Sequence, residues 1–172
     1  MSALTYSWFM EARTLHAPLD ALSAANRPQG IEIATLTTFD IPALAVLTLE
    51  AYGDDVTPEA LLETSEELRL TFEGAFGATT EDSFVGAWDG GTLVGAILVV
   101  RESPWDDAPD DPFVVDLIVA PDYRRRGIAT ALVAEVAGRC ASWGFGSLAL
   151  RLDSRHGGAN ELYSVLGFEE IA

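Results

Sequence analysis

The sequence predicts an α/β (α+β) fold in which helices flank a mixed sheet with a central β-α-β crossover. Segments with two-residue alternation and segments with helical periodicity follow one another in the order β-α-α-β-β-β-α-β-α-β. The unit over residues 113–152 has the order strand, helix, strand, and such units form right-handed parallel crossovers. The length of 172 residues, with 49% hydrophobic and 22% charged residues, is typical of one globular domain.

An N-terminal extension, residues 1–30, precedes this series. Residues 4–10 (LTYSWFM) are aromatic and strand-like, and residues 17–25 can form a short helix. Residues 26–30 (NRPQG) have the composition of a turn and mark a boundary. The predicted domain therefore covers residues 31–172.

The domain begins with one strand and two helices. Residues 31–36 alternate at a period of two, which predicts a strand. Asp40 can cap a helix that runs to about Tyr52. Thr57 followed by Pro58 is typical of a helix start and predicts the second helix.

A β-hairpin and an acidic loop come next. Residues 83–88 and 92–101 are predicted strands, and the Asp-Gly-Gly sequence at 89–91 is typical of the turn between them. The loop over 102–112 contains Asp106, Asp107, Asp110 and Asp111. Their spacing matches no calcium-binding pattern, so we expect a solvated loop and no metal site.

The second half of the domain contains the crossover. Residues 113–120 are apolar except for one aspartate, which predicts a strand buried on both faces. An amphipathic helix follows over about 125–142, and residues 147–152 and 168–171 are strands on either side of a short helix at 159–166. The stripe predicted to be buried on the long helix consists of Ile128, Leu132, Val136 and Cys140.

The charge balance excludes several function classes. The chain has 27 acidic and 10 basic residues, a net charge of −17, and all its basic residues are arginines. A field of this sign repels nucleic acids and anionic membranes and attracts cationic molecules. Without lysine, no Schiff-base chemistry is available. We therefore expect no nucleic-acid or membrane partner. The acidic surface either serves solubility or attracts a cationic small molecule or a basic peptide.

Cysteine usage and hydropathy indicate a cytoplasmic protein. Cys140 is the single cysteine, which excludes internal disulfides and Cys-rich metal sites. No apolar run reaches the roughly 18 residues that span a bilayer. Residues 1–13 lack the pattern of a signal peptide. A cytoplasmic location is therefore the expectation.

The segment over 124–130 (RRRGIAT) is the most informative for function. It lies between a buried strand and a helix, where unpaired N–H groups and the helix dipole form an anion site. Gly127 and Ala129 allow a phosphate to approach the backbone closely. The alternative is a basic helix start that is simply exposed, but arginines oppose the dipole there. The segment therefore predicts a phosphate-binding loop.

Asp116 and Tyr163 are the candidate catalytic side chains. Asp116 interrupts an apolar strand, where a carboxylate is costly unless it is paired or functional. It can act as a general base, or it can pair with an arginine or a helix end. Tyr163 lies on the short helix, where it can donate a proton or simply pack as an amphipathic side chain.

Two motifs resemble those of the GNAT N-acetyltransferase superfamily. The acetyl-coenzyme A (acetyl-CoA) motif of that family is Arg or Gln, two residues, Gly, one residue, then Gly or Ala; Arg124, Gly127 and Ala129 occupy these places. Residues 161–168 (ELYSVLGF) resemble its second signature, Leu-Tyr followed by Leu-Gly-Phe. The resemblance covers residues 31–171 and implies a mixed, mostly antiparallel sheet.

The resemblance implies a role for each matched residue. Backbone groups of the buried strand would pair with the pantetheine arm, the helix start would hold the pyrophosphate, and Tyr163 would protonate the leaving thiolate. Asp116 would be the base, and Glu50, Asp54 and Asp55 would border the acceptor pocket. The alternative for each of these three residues is a solvated acidic turn. The implied cofactor residues are Leu117, Ile118, Val119, Arg124, Arg125, Arg126, Gly127, Ile128, Ala129, Thr130, His156 and Asn160.

The sequence departs from the family pattern at two places. His156 stands where many members have asparagine, seven residues before the tyrosine, and Asn160 lies nearby at a different spacing. The family usually ends in a hairpin of two strands, whereas this sequence ends after the first of them. We expect residues 4–10 to fill the slot beside the strand at 147–152, from the same chain or from the neighbouring subunit of a homodimer.

These features predict an N-acetyltransferase that moves an acetyl group from acetyl-CoA to a primary amine of a small molecule or basic peptide. The expected mechanism is direct transfer in a ternary complex, without a covalent enzyme intermediate. Two alternatives stay open, a non-catalytic module that binds or senses acyl-CoA and a transferase of longer acyl groups. Tyr163 argues against the first of them.

Overall fold

The structure is a computed structural model and describes residues 13–23, 27–102, 110–152 and 159–171, with the backbone alone for 159–161. Seven strands form one sheet in the order β2-β3-β4-β5-β6-β1-β7. The strands are β1 Arg13–Pro18, β2 Ile31–Thr35, β3 Phe84–Asp89, β4 Thr92–Val100, β5 Phe113–Val119, β6 Ser147–Leu152 and β7 Glu169–Glu170. Neighbours pair antiparallel except β5 and β6, which run parallel. The predicted mixed, mostly antiparallel sheet is therefore confirmed.

Helices cover both faces of this sheet. They are α1 Leu19–Leu22, α2 Ile41–Ala51, α3 Pro58–Phe72, α4 Ile128–Ser142 and α5 Ala159–Leu166. Side chains of α1, α4 and α5 pack together over one face, and those of α2 and α3 pack over the other. Because α4 connects the parallel strands β5 and β6, the predicted β-α-β crossover is present.

The predicted helix signals differ in how well they describe the structure. Thr57 caps α3 as expected: its hydroxyl oxygen accepts from the Ala60 N–H at 3.1 Å. Asp40 precedes α2, but among the described residues its side chain gives that helix no capping hydrogen bond. Its carboxylate instead accepts from the Thr37 N–H at 2.8 Å and stabilises the 3₁₀ turn Thr38–Asp40.

The buried stripe on α4 is confirmed, because Ile128, Leu132, Val136 and Cys140 are all buried. The helix begins at Ile128, later than the predicted residue 125. The reason is local, since the two residues Arg125 and Gly127 both have positive φ angles, which a right-handed helix does not permit.

Strand β1 occupies the position beside β6. It pairs with β6 along its whole length, from Arg13 opposite Leu152 to Pro18 opposite Ser147, and its other edge pairs with β7. This strand comes from the N-terminal extension of the same chain, at residues 13–18. The expected strand at 4–10 lies outside the described residues, and the expected helix at 17–25 is α1.

Deleting residues 1–26 should lower the thermal unfolding temperature by more than about 10 °C. The deletion removes the apolar side chains of Leu15, Ala17, Leu19 and Leu22, which are buried in the core under α4. Each of the larger ones contributes about 1.5–3 kcal/mol, and 1 kcal/mol shifts the midpoint by about 2–4 °C. The control is deletion of residues 1–12, which retains β1. Equal unfolding temperatures for the two deletions, measured by circular dichroism, would contradict this role.

Candidate active site

Strands β5 and β6 separate after only two residue pairs. Phe113 lies opposite Ala149 and Val114 opposite Leu150, and within the described residues the two strands share no further pair. The register of β5 against β4 shifts at the same place, so that Val115 is an extra residue, a β-bulge. A bulge bends its strand and increases its twist, which turns the C-terminal half of β5 away from β6. We call the space between the two strands the cleft.

Backbone groups of β5 point into this cleft. The Ala120 N–H donates to Val94 O at 2.8 Å, and Ile118 lies opposite Ala96 in the same register. Backbone groups alternate in direction along a strand, so Leu117 and Val119 direct theirs away from β4 and towards the cleft. The family resemblance implies that an extended ligand pairs with this backbone.

The connection from β5 to α4 forms a tight loop with free amide groups. Arg125 has a φ of +63° and Gly127 a φ of +80°. Ala131 donates to Gly127 O at 3.0 Å, which is the first backbone bond of α4. The N–H groups of residues 127–130 precede that bond and have no partner within the helix. This arrangement, at the positive end of the helix dipole, is suited to an anion.

The three arginines of this loop do not act alike. Arg124 donates from its Nε to Val119 O at 3.2 Å and from its Nη2 to Ala51 O at 2.7 Å, so two of its donors already bind protein carbonyls. Arg126 lies over the ring of Tyr123, with its guanidinium carbon 4.8 Å from the ring centroid. Arg125 and Arg126 are exposed. These two supply the positive charge beside the helix start.

Gly95 on β4 allows α4 to lie close to the sheet. A Cβ atom at this position would be 2.9 Å from Ile128 Cγ2 and 3.2 Å from Leu132 Cδ1. Ile128 and Leu132 would then have to shift. Nothing in the spacing of Gly95 links it to the loop at 124–130, so the sequence could not predict its role.

Replacing Gly95 with alanine should lower the free energy of unfolding by about 1–3 kcal/mol, the usual cost of overpacking a core. The contact would push Ile128 and the start of α4 away from β4. Urea denaturation measures the change. Gly91→Ala is the matched control, because its Cβ would have no atom within 4 Å. A loss no greater than that of the control would contradict the close packing.

Asp116 and Tyr163 lie within electrostatic reach of each other at the cleft. The Asp116 carboxylate accepts a hydrogen bond from the Tyr52 hydroxyl at 2.7 Å. Tyr163 is only 6% exposed, and its ring packs edge-on against Phe168 at 5.4 Å. Burial raises the pKa of the Tyr163 phenol, and the nearby charge of Asp116 raises it further. The phenol is therefore held in its protonated form, as a proton donor requires.

The acidic residues predicted to border the acceptor pocket lie around the C-terminal end of α2. Glu50 is in the last turn of the helix, and Asp54 and Asp55 follow in the loop. All three are exposed. They are neighbours in sequence of Tyr52, whose hydroxyl reaches Asp116. They therefore lie near the helix end whose Tyr52 contacts the candidate base.

The structure does not describe the side chains of two residues that the resemblance assigns to cofactor binding. His156 lies outside the described residues, and Asn160 is described only as part of the backbone of α5.

Cys140, predicted to belong to the core, is buried, and burial raises the pKa of its thiol to about 12. A thiol with such a pKa is no nucleophile near neutral pH.

Among the described residues, no helix combines the length and hydropathy needed to cross a bilayer.

Comparison with known proteins identifies the family. The model of the acetyltransferase (GNAT) family matches residues 46–168. A mycothiol acetyltransferase from Kocuria rhizophila is 36% identical over 120 residues, which cover 65% of this chain and 36% of that protein. The chain thus spans about a third of the length of this curated relative.

Solved structures share the fold. A GCN5-related N-acetyltransferase from Sphaerobacter thermophilus superposes with a TM-score of 0.65 at 24% identity, covering 93% of this chain and 48% of that one. The ribosomal-protein-S18-alanine N-acetyltransferase from Escherichia coli gives a TM-score of 0.61 at 20% identity, covering 83% and 79%. These structures show the shared fold, and the family match over residues 46–168 confirms the resemblance of the two motifs: the chain belongs to the acetyltransferase (GNAT) family.

Proposed function

We propose that the chain transfers an acetyl group from acetyl-CoA to a primary amine of a small molecule or basic peptide, directly and within a ternary complex. The observation that carries the proposal is that the buried Tyr163 phenol lies within electrostatic reach of the Asp116 carboxylate. Thioester aminolysis needs a base for the amine and an acid for the leaving thiolate.

The described residues fit the shape and charge of acetyl-CoA. Amides at the start of α4, with Gly127 and Ala129 among them, are suited to the pyrophosphate, and Arg125 and Arg126 supply charge. The backbone of residues 117–119 is suited to the pantetheine arm, as an added strand would be. Arg124 supports this loop through its bonds to carbonyl groups. When bound, acetyl-CoA supplies an activated acetyl thioester.

Two side chains and one backbone group perform three tasks in this proposal. Asp116 takes the proton of the acceptor ammonium, directly or through water, because an alkyl ammonium with a pKa of about 10 is deprotonated in only about one molecule in a thousand at pH 7. A backbone N–H of Leu117 or Val119 stabilises the oxygen of the thioester carbonyl as the C–N bond forms. Tyr163 then gives its proton to the sulfur as the C–S bond breaks. The nitrogen loses its second proton as the amide forms, and that proton returns to the Tyr163 oxygen, directly or through water.

Charge favours a cationic acceptor. The net charge is −17, and Glu50, Asp54 and Asp55 lie exposed near the end of α2. Acetyl-CoA is itself anionic, so Arg125 and Arg126 must act locally, within the Debye length of about 8–10 Å. An acceptor with one or more ammonium groups therefore gains from the same field that opposes acetyl-CoA.

The test is calorimetric titration with acetyl-CoA followed by a screen for thiol release. The screen contains a monoamine with no other charged group, a polyamine, an aminoglycoside and a basic peptide, with acetyl-CoA as donor. We expect binding of acetyl-CoA and faster thiol release with the polycationic amines. Binding without release for any amine would favour a non-catalytic acyl-CoA-binding module, and absence of binding would contradict the proposed site.

A further inference from the structure

Tyr52 connects the acceptor side of the molecule to the candidate base. It follows the last residue of α2, and its backbone N–H donates to Thr48 O at 3.1 Å, which fixes the position of the residue at the helix end. Its ring is partly buried against the core between α2 and the sheet. Its hydroxyl donates to Asp116 Oδ1 at 2.7 Å. The contact joins residues on two different elements, so sequence spacing could not reveal it.

A second contact holds the same helix end. The Arg124 guanidinium bridges Ala51 O, in the last residue of α2, and Val119 O, in the last residue of β5. A cation at the C-terminal end of a helix also interacts favourably with the helix dipole. The end of α2 is therefore fixed to β5 at two points, through Arg124 and through Tyr52.

We propose that Tyr52 is a positioning residue that orients the Asp116 carboxylate for the acceptor amine. The inference rests on the function proposed above. The terminal torsion of an aspartate is broad, so a free carboxylate samples many orientations. A phenol O–H at 2.7 Å restricts that torsion. It also favours the ionised form, which is the form that accepts a proton.

Two phenols act on Asp116 from different elements. Tyr52, at the end of α2, donates a hydrogen bond to its carboxylate. Tyr163, on α5, is within electrostatic reach of it and has a raised pKa. Glu50, Asp54 and Asp55 are exposed neighbours of Tyr52 in sequence. Tyr163 is assigned to the leaving sulfur, so the two hydroxyls have separable roles.

A double-mutant cycle with Tyr52→Phe and Asp116→Asn tests the proposal. The donor is acetyl-CoA, and the acceptor is the amine with the highest rate in the screen. We expect Tyr52→Phe to lower kcat/KM for the amine roughly tenfold, the range of one hydrogen bond to a charged group, with the Kd of acetyl-CoA changed less than twofold. Asp116→Asn should lower it by about 100-fold or more. Because Tyr52 acts through Asp116, the double variant should be no slower than Asp116→Asn.

The pH profile separates positioning from packing. Without the phenol O–H, the Asp116 carboxylate should take up its proton at higher pH, and the acidic limb of kcat/KM should move in that direction. Tyr123→Phe is the control for stability alone, because it loses a phenol-to-carboxylate bond of 2.6 Å, to Asp89. The decrease in unfolding temperature in Tyr52→Phe should be similar to the decrease in Tyr123→Phe. It should be too small to explain a tenfold decrease in kcat/KM.

The outcomes distinguish the role proposed for Tyr52 from the acetyl transfer proposed for the chain. An active wild type in which Tyr52→Phe has no effect, or in which the effects of the two substitutions multiply, overturns the inference and leaves the proposed function in place. A wild type that binds acetyl-CoA but acetylates no amine overturns both.

Discussion

Replacing Gly127 with glutamate should weaken acetyl-CoA binding by at least about 100-fold in isothermal titration calorimetry. Gly127 has a φ of +80°, which costs a residue with a Cβ about 1–2 kcal/mol. The new carboxylate would also lie beside the amides proposed to hold the pyrophosphate. Two like charges about 5 Å apart repel by roughly 3 kcal/mol at an effective dielectric constant of 20, which by itself exceeds a hundredfold effect.

Two variants separate the causes of that loss. Gly127→Ala introduces only the backbone strain, since its Cβ would lie 3.9 Å from Pro28 Cγ, an ordinary contact. Gly138→Glu adds the same charge to α4 at a position where a Cβ meets no atom within 4 Å. We expect intermediate binding for the first and nearly unchanged binding for the second. Equal weakening by Gly138→Glu would attribute the effect to net charge and contradict the assigned phosphate site.

Replacing Tyr163 with phenylalanine should lower kcat by about 100-fold or more while the Kd of acetyl-CoA stays within twofold. Loss of a general acid typically costs about 10²–10⁴ in rate. The edge-on contact with Phe168, at 5.4 Å, needs only the ring and is retained. Stopped-time assays of thiol release at saturating acetyl-CoA measure kcat. An unchanged kcat would show that Tyr163 only packs in the core.

The pH dependence of kcat provides a second test of Tyr163. An ordinary tyrosine has a pKa near 10, and burial together with the Asp116 charge raises the pKa of Tyr163 above that value. The proton donor should therefore remain protonated, and kcat should not decline between pH 7 and 9. A basic limb in this range that disappears in Tyr163→Phe would contradict the proposed raised pKa.

Local signals predicted most elements correctly, because they depend on chemistry within a few residues. The Thr57-Pro58 helix start and the hairpin turn at 89–91 are examples, since a side-chain cap and a glycine-rich turn act at short range. The predicted start of α4 was wrong by three residues, because Arg125 and Gly127 have positive φ angles and the periodicity of the apolar residues does not report backbone conformation.

Long-range contacts could not be predicted in the same way. Asp116 was identified as a costly carboxylate on an apolar strand, but nothing in the sequence indicated that Tyr52 would approach it. Likewise, Arg124 matched a motif position, whereas its bonds to Ala51 O and Val119 O depend on how α2 packs against β5. Such contacts are set by the tertiary fold, which a linear pattern does not contain.

The place of β1 between β6 and β7 has a consequence for how the chain acquires its structure. Leu15 pairs with Leu150 on β6 and with Glu170 on β7, so this part of the sheet forms only when segments far apart in the sequence come together. Contacts of such sequence separation slow folding, and during synthesis β1 cannot pair until β6 and β7 have emerged from the ribosome. Until then β1 presents open hydrogen-bonding edges, which can pair with another chain and promote aggregation.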